Sequence, residues 1–173
     1  VGNLAGVNVP LLACEHYYLI TEPVAGVHNR LPILRDPGNS AYIREEAGKI
    51  MVGYFEPLAK PWGMDGIAED FCFNDIQADW DRLLPVVEKA MSRVPTLLDH
   101  GIKLFFCGPE SFTPDHNYLM GPAPNVRNFF VAAGMNSLGI LSGGGVGMVM
   151  AEWITTGRPP MDMWSVDIRR AQA

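Results

Sequence analysis

The chain predicts an α+β fold, and three features of its 173 residues carry that prediction. The first half is a series of short extended runs bounded by turn residues, the pattern of an antiparallel meander. A stretch near the middle repeats apolar residues at helical spacing. Toward the end, an apolar extended run (Phe129 to Ala133) meets a glycine-rich run (Gly134 to Gly147) and then a helix-like segment (Met148 to Thr155). An apolar content of 48% with 18% charged residues indicates a globular chain long enough to bury a core.

Each element follows from local chemistry. Leu11 to Thr21 reads as a strand with aromatic Tyr17 and Tyr18, and Leu31 to Arg35 is a second apolar run. Asp36-Pro37-Gly38-Asn39 is a strong turn signal. In the run Ser40 to Glu45, Ser40, Tyr42 and Arg44 share one strand face, and Ala41 and Ile43 share the other. Lys49 to Phe55 follows after Gly48. Ile76, Trp80, Leu83, Leu84, Val87, Ala90, Met91 and Val94 then mark one face of a helix, with Asn74 or Asp75 as N-cap. Pro85 is expected to kink or divide that helix, and Pro95 to end it. Ile102 to Cys107 reads as a strand stopped by Gly108-Pro109, Phe112 to His116 as a polar turn, and Arg127 to Ala133 as a strand. Gly157-Arg158-Pro159-Pro160 ends the last helix.

Composition excludes several classes. The net charge is −6 and no basic run occurs, so nucleic acid is not an expected partner. Cys14, Cys72 and Cys107 form no C-x-x-C, which argues against a disulfide framework or zinc ribbon and for a reducing, cytoplasmic setting. No metal site is expected, because His28, His100 and His116 read as loop residues without metal spacing. The longest apolar candidate for a membrane span, Gly139 to Ile154, is broken by glycines and contains Glu152, so no membrane partner is expected. Oligomeric state is left open. The chain begins at Val1 without a signal-peptide pattern, and the expectation is a processed or truncated piece of a longer protein.

The glycine run lacks G-x-G-x-x-G, and no Lys-Ser/Thr pair follows it, so it is neither a dinucleotide fingerprint nor a P-loop. A strand, a glycine turn and a helix N-terminus nevertheless present backbone N–H groups to an anionic or electron-rich ligand. The alternative is tight packing of a helix on a strand.

Taken in order, Glu15-His16-Tyr17-Tyr18-Leu19-Ile20-Thr21, the block Cys107 to Asp115 (Cys-Gly-Pro-Glu-Ser-Phe-Thr-Pro-Asp), Gly134-Met135-Asn136-Ser137-Leu138-Gly139 with Gly143-Gly144-Gly145, and Asp167-Ile168-Arg169-Arg170 resemble the FAD-dependent sarcosine and dimethylglycine dehydrogenase family, within the D-amino-acid-oxidase-like flavoproteins. The resemblance covers essentially the whole chain. The family's N-terminal G-x-G-x-x-G region and its downstream folate-binding region find no counterpart here. The implied architecture is part of an α/β flavoprotein. A mostly antiparallel substrate-domain sheet with flanking helices would occupy residues 1–110, and a flavin-facing strand–helix segment and tail residues 111–173.

The resemblance implies FAD as cofactor, with tetrahydrofolate acting in a missing downstream region. It implies oxidation of a small N-methyl amino acid by hydride transfer to flavin, and a mitochondrial-matrix location if the source is eukaryotic. It assigns His16 an acid/base or orienting role, and Tyr42 a hydrogen bond to the substrate or the imidazole. Read alone, these two are a core histidine and an ordinary strand tyrosine. The cofactor side falls on Gly134, Asn136, Ser137, Leu138, Gly139, Ile140 and Gly143, whose N–H groups around Ser137 to Ile140 would face the N1–C2=O edge of the flavin. Arg35 and Arg44 are both candidates to hold a substrate carboxylate. The other reading of the same resemblance is a non-catalytic regulatory relative, of the type of the pyruvate dehydrogenase phosphatase regulatory subunit, similar around Ala13-Cys14-Glu15-His16.

Overall fold

The computed structural model describes residues 1–77 and 79–172, Gln172 by its backbone only. The chain divides into two compact units, Cys14–Pro109 and Val1–Ala13 with Glu110–Ala173.

The first unit is built on a five-stranded sheet of order β2-β3-β4-β1-β5. Its strands are β1 (Leu12–Thr21), β2 (Leu34–Asp36), β3 (Ala41–Glu46), β4 (Lys49–Tyr54) and β5 (Ile102–Phe112). The pairings of β2 with β3, β3 with β4, and β4 with β1 are antiparallel, as a meander requires. Glu46 pairs with Lys49, so β3 and β4 are joined by the two residues Ala47 and Gly48 at φ 50° and 76°. Positive φ at both positions is the hairpin turn whose twist matches the strands.

One sheet face carries the core: Tyr17, Leu19, Ala41, Ile43, Ile50, Val52 and Tyr54 are all buried there. Helix α1 (Trp80–Arg93) supplies Leu83 and Ala90 to the same cluster, with Val86, Val87 and Met91 packed against it. The helix starts later than its apolar periodicity predicts, because Asp79 rather than Asn74 or Asp75 caps it, accepting the Arg82 N–H. The preceding residues are tied to β5 by Ile76 N–H donating to the Cys107 carbonyl. Pro85 sits inside α1 without dividing it. Strand β5 likewise runs through Gly108-Pro109 instead of stopping there. It is an edge strand, where a missing N–H can face outward.

In the second unit, β6 (Leu119–Pro122) and β7 (Phe130–Ala133) form an antiparallel pair, and α2 (Gly139–Thr156) follows. One cluster gathers Val7, Leu119, Ala123, Val131 and Ile168, and another gathers Met120, Val149, Met150 and Trp153. The helix begins nine residues before the expected Met148, so Gly143, Gly144, Gly145 and Gly147 lie inside it and not in a turn. Each glycine costs about 1 kcal/mol against alanine in a helix. Packing of Val149, Met150 and Trp153 overrides that preference. Gly157 ends the helix in the left-handed conformation, its N–H bonded to the Trp153 carbonyl. Among the described residues no helix is long and apolar enough to cross a membrane.

Candidate functional site

Strand alternation sends His16 and Tyr18 of β1, Tyr42 of β3 and Gly53 of β4 to the sheet face opposite the core. Phe55, just past β4, organises this face. Its ring lies 5.5 Å from the His16 ring and 5.8 Å from the Tyr42 ring, centroid to centroid. The Arg35 guanidinium carbon stands 4.1 Å over it, a cation–π contact. The two residues singled out from the sequence, His16 and Tyr42, are thus brought to one aromatic hub. The two candidate arginines are separated. Arg44 is paired with Glu46, and its Nε contacts Met51 Sδ at 3.2 Å. Arg35 has no carboxylate partner among the described residues.

Two further residues shape this face. Tyr42 lies across Gly53: a Cβ there would come within 2.1 Å of Tyr42 Cζ and 2.2 Å of its hydroxyl. Only glycine allows the phenol that position. Burial raises the Tyr42 phenol above its usual range, so it remains a hydrogen-bond donor at neutral pH. Glu56 places Oε2 3.4 Å from His16 Nδ1, with the two side chains 12% and 16% exposed. Neither Gly53 nor Glu56 belongs to a recognisable motif. The alternation of β4 and the Gly-Tyr-Phe-Glu order are the only traces in the sequence.

On the opposite side of β1 lies a buried carboxylate with a structural task. Glu15 is 4% exposed, receives the Tyr17 hydroxyl, and pairs with Lys60 Nζ at 3.0 Å. Lys60 also reaches Asp79, the α1 cap, at 3.4 Å. Burial first, and then the Glu15 charge, raises the Cys107 thiol to about 11, which leaves it an unreactive core group.

In the other unit the expected cofactor residues form the entry to α2. Gly134, Asn136 and Ser137 have φ of 67°, 50° and 65°. Asn136 Oδ1 accepts the Thr113 N–H at 2.9 Å, while its Nδ2 donates to Thr113 Oγ1 at 3.1 Å. Ser137 Oγ donates to Glu110 Oε2 at 2.9 Å. Gly134 must be bare, since a Cβ would fall 2.4 Å from Thr113 Cγ2. The side chains of Asn136 and Ser137 therefore hold the turn in place. Leu138 N–H is bonded to the Met135 carbonyl, and Ser142 N–H begins the helical ladder on Leu138. The helix-start donors left over are those of Gly139, Ile140 and Leu141. Leu141 was not anticipated from the sequence, and Gly143 lies a turn inside, its N–H within the ladder. The Ile140 and Leu141 side chains are 104% and 82% exposed. Three N–H groups without a partner among the described residues, at the positive end of a helix, suit the developing negative charge of a reduced flavin's pyrimidine edge, so the residues present fit FAD there.

The Thr113-Pro114-Asp115 turn is fastened to the tail. Arg170 Nε donates to Asp115 Oδ2 at 2.8 Å and its NH2 donates to Oδ1 at 3.0 Å. This guanidinium holds the Asp115 carboxyl well below the usual range.

Comparison with known proteins shows the family. The profile described as DAO, FAD dependent oxidoreductase, matches residues 1–153. The mitochondrial sarcosine dehydrogenase of Mus musculus is 46% identical over 98% of this chain, which covers 18% of that protein. The mitochondrial dimethylglycine dehydrogenase of Rattus norvegicus is 34% identical over 98% of this chain and 21% of its own length. The mitochondrial pyruvate dehydrogenase phosphatase regulatory subunit of Mus musculus is 38% identical, again over 98% of this chain and 19% of its own. Among solved structures, the L-proline dehydrogenase from P. horikoshii superposes with a TM-score of 0.78 at 21% identity, over 99% of this chain and 44% of that one. The chain belongs to the DAO family of FAD-dependent oxidoreductases. It spans about a fifth of the length of the curated relatives it matches.

Proposed function

We propose that this chain is the substrate-side and flavin-ring-side part of an FAD-dependent oxidoreductase acting on the CH–NH group of a small N-methyl amino acid, sarcosine or dimethylglycine. The observation that carries the reading is the shared hub at Phe55, which gathers a histidine, a half-buried tyrosine and an arginine without a carboxylate partner among the described residues on one sheet face. A substrate of this class presents an ammonium and a carboxylate. His16 takes the ammonium proton and frees the nitrogen lone pair, which an imidazole does well near neutral pH. Arg35 holds the carboxylate, and Tyr42 donates a hydrogen bond that orients substrate or imidazole. FAD, when bound, would supply the acceptor for the hydride lost as the C=N bond forms. Gly139, Ile140 and Leu141 would hold the flavin's N1–C2=O edge through their N–H groups, on a turn braced by Gly134, Asn136 and Ser137. No residue described here is assigned to tetrahydrofolate, which the family resemblance puts in a downstream region.

The test is anaerobic reduction of the flavin-loaded full-length protein by sarcosine or dimethylglycine, followed by flavin absorbance. His16→Ala is expected to slow reduction about 10²- to 10⁴-fold, the usual worth of a general base. An unchanged rate would remove the base role. A flavin that binds but is reduced by neither amine would instead favour the regulatory reading. That reading is supported less well, since the sarcosine dehydrogenase is the more similar relative.

A further inference from the structure

Glu56 lies two residues past the end of β4, before Pro57. Its Oε2 faces His16 Nδ1 at 3.4 Å. Both His16 Nδ1 and Glu56 Oε1 are buried and make no hydrogen bond to the described residues. What is exposed of the imidazole therefore lies on its other atoms. A buried ring nitrogen opposite a buried carboxylate has one favourable arrangement: the nitrogen carries the proton and points it at the oxygen. A lone pair in that position would leave carboxylate and imidazole repelling each other, both stripped of water. The 3.4 Å separation is longer than a hydrogen bond, and such contacts commonly tighten when substrate closes the site.

The other groups around the pair are consistent with this. Phe55 packs on the imidazole at an interplanar angle of 49° and limits its rotation. Burial first, and then the Glu56 charge, keep the Cys14 thiol and the Tyr54 phenol protonated, so neither adds a second anion. Arg35 and Tyr42 also meet Phe55, at 4.1 Å and 5.8 Å from its ring centroid.

We propose that Glu56 is a positioning residue for His16: it fixes the proton on Nδ1 and so leaves the Nε2 lone pair for the substrate amine. This rests on the base role given to His16 above. In the step itself, the substrate ammonium gives its proton to Nε2, the ring becomes an imidazolium, and Glu56 stabilises that cation without accepting a proton.

The experiment uses the full-length oxidised holoprotein with ¹⁵N-labelled histidine, the His16 signals being assigned by their loss in His16→Gln. The expected result is an Nδ1–H tautomer in the wild type. Glu56→Gln is expected to move the signals toward Nε2–H and to lower kcat about 10- to 100-fold, with KM changed less than about twofold. Glu56→Asp should recover the Nδ1–H form and most of kcat. An Nε2–H tautomer in the wild type, or one unchanged in Glu56→Gln, would overturn the proposal. If His16→Gln is reduced by substrate at the wild-type rate, the base role falls separately, and the tautomer measurement still decides whether Glu56 sets the ring.

Discussion

Phe55 has no reactive atom, yet three of the proposed site residues are defined by their contact with its ring. It separates two arginines that the sequence left equal. Arg44 already spends its charge on Glu46, whereas Arg35 has no carboxylate partner among the described residues. Arg35→Met is therefore expected to raise KM for an N-methyl amino acid about 10- to 100-fold, matching about 1.5–3 kcal/mol for a hydrogen bond to a charged group. Arg44→Met should change it less than about twofold. Steady-state kinetics on both variants check this, and equal effects would mean that the carboxylate is held elsewhere. At this scale the sequence singles out a residue where it belongs to a recognisable block, as with His16, Asn136 and Ser137. It was silent on Glu56 and Gly53, because their roles are relations across the sheet. Gly53 matters through Tyr42, eleven residues earlier, and Glu56 through His16, forty residues earlier.

Among the elements, the meander was legible because turn residues and two-residue alternation agree with each other. The hairpin between β3 and β4 shows where that agreement is incomplete. Ala47 occupies a left-handed position, φ 50°, that alanine adopts at a cost. Ala47→Gly is expected to stabilise the protein by about 1 kcal/mol, readable as a higher urea midpoint at unchanged slope. No gain would mean that the larger backbone freedom of glycine in the unfolded chain offsets the relief. The boundaries of α1 and α2 were the least legible features. Both candidate caps of α1 precede Ile76, but that stretch is tied to β5, so the cap passes to Asp79. For α2, propensity favours a turn at the glycines, and only the packed Val149, Met150 and Trp153 reveal a helix. Strand β5 passes through Pro109 because an edge position removes the usual objection.

Across the whole molecule, each unit owns its core: Tyr17, Val52 and Tyr54 in one, Leu119, Met120 and Ile168 in the other, all 2% exposed or less. The α+β class could be read from the order of elements, since that order needs no long-range knowledge. How stability is spread over the chain could not, because it depends on which faces are packed. The C-terminal part of α2 is clamped through Val149, Met150 and Trp153, while Gly143, Gly144, Gly145 and Gly147 have open space where a Cβ would be. One helix is therefore expected to have two mechanical characters, a stiff end and a compliant end. In the function proposed above, the glycine-rich end carries the N–H groups that would meet the flavin. Amides of residues 142–147 should exchange with deuterium well before those of residues 149–153, and equal protection would contradict this gradient. A ligand seated on the compliant end would meet donors whose direction can adjust by small backbone motions, and would be expected to slow their exchange. Under the proposed reading, the glycines would make the start of α2 a surface that fits itself to its ligand, anchored by the packed half one turn further on.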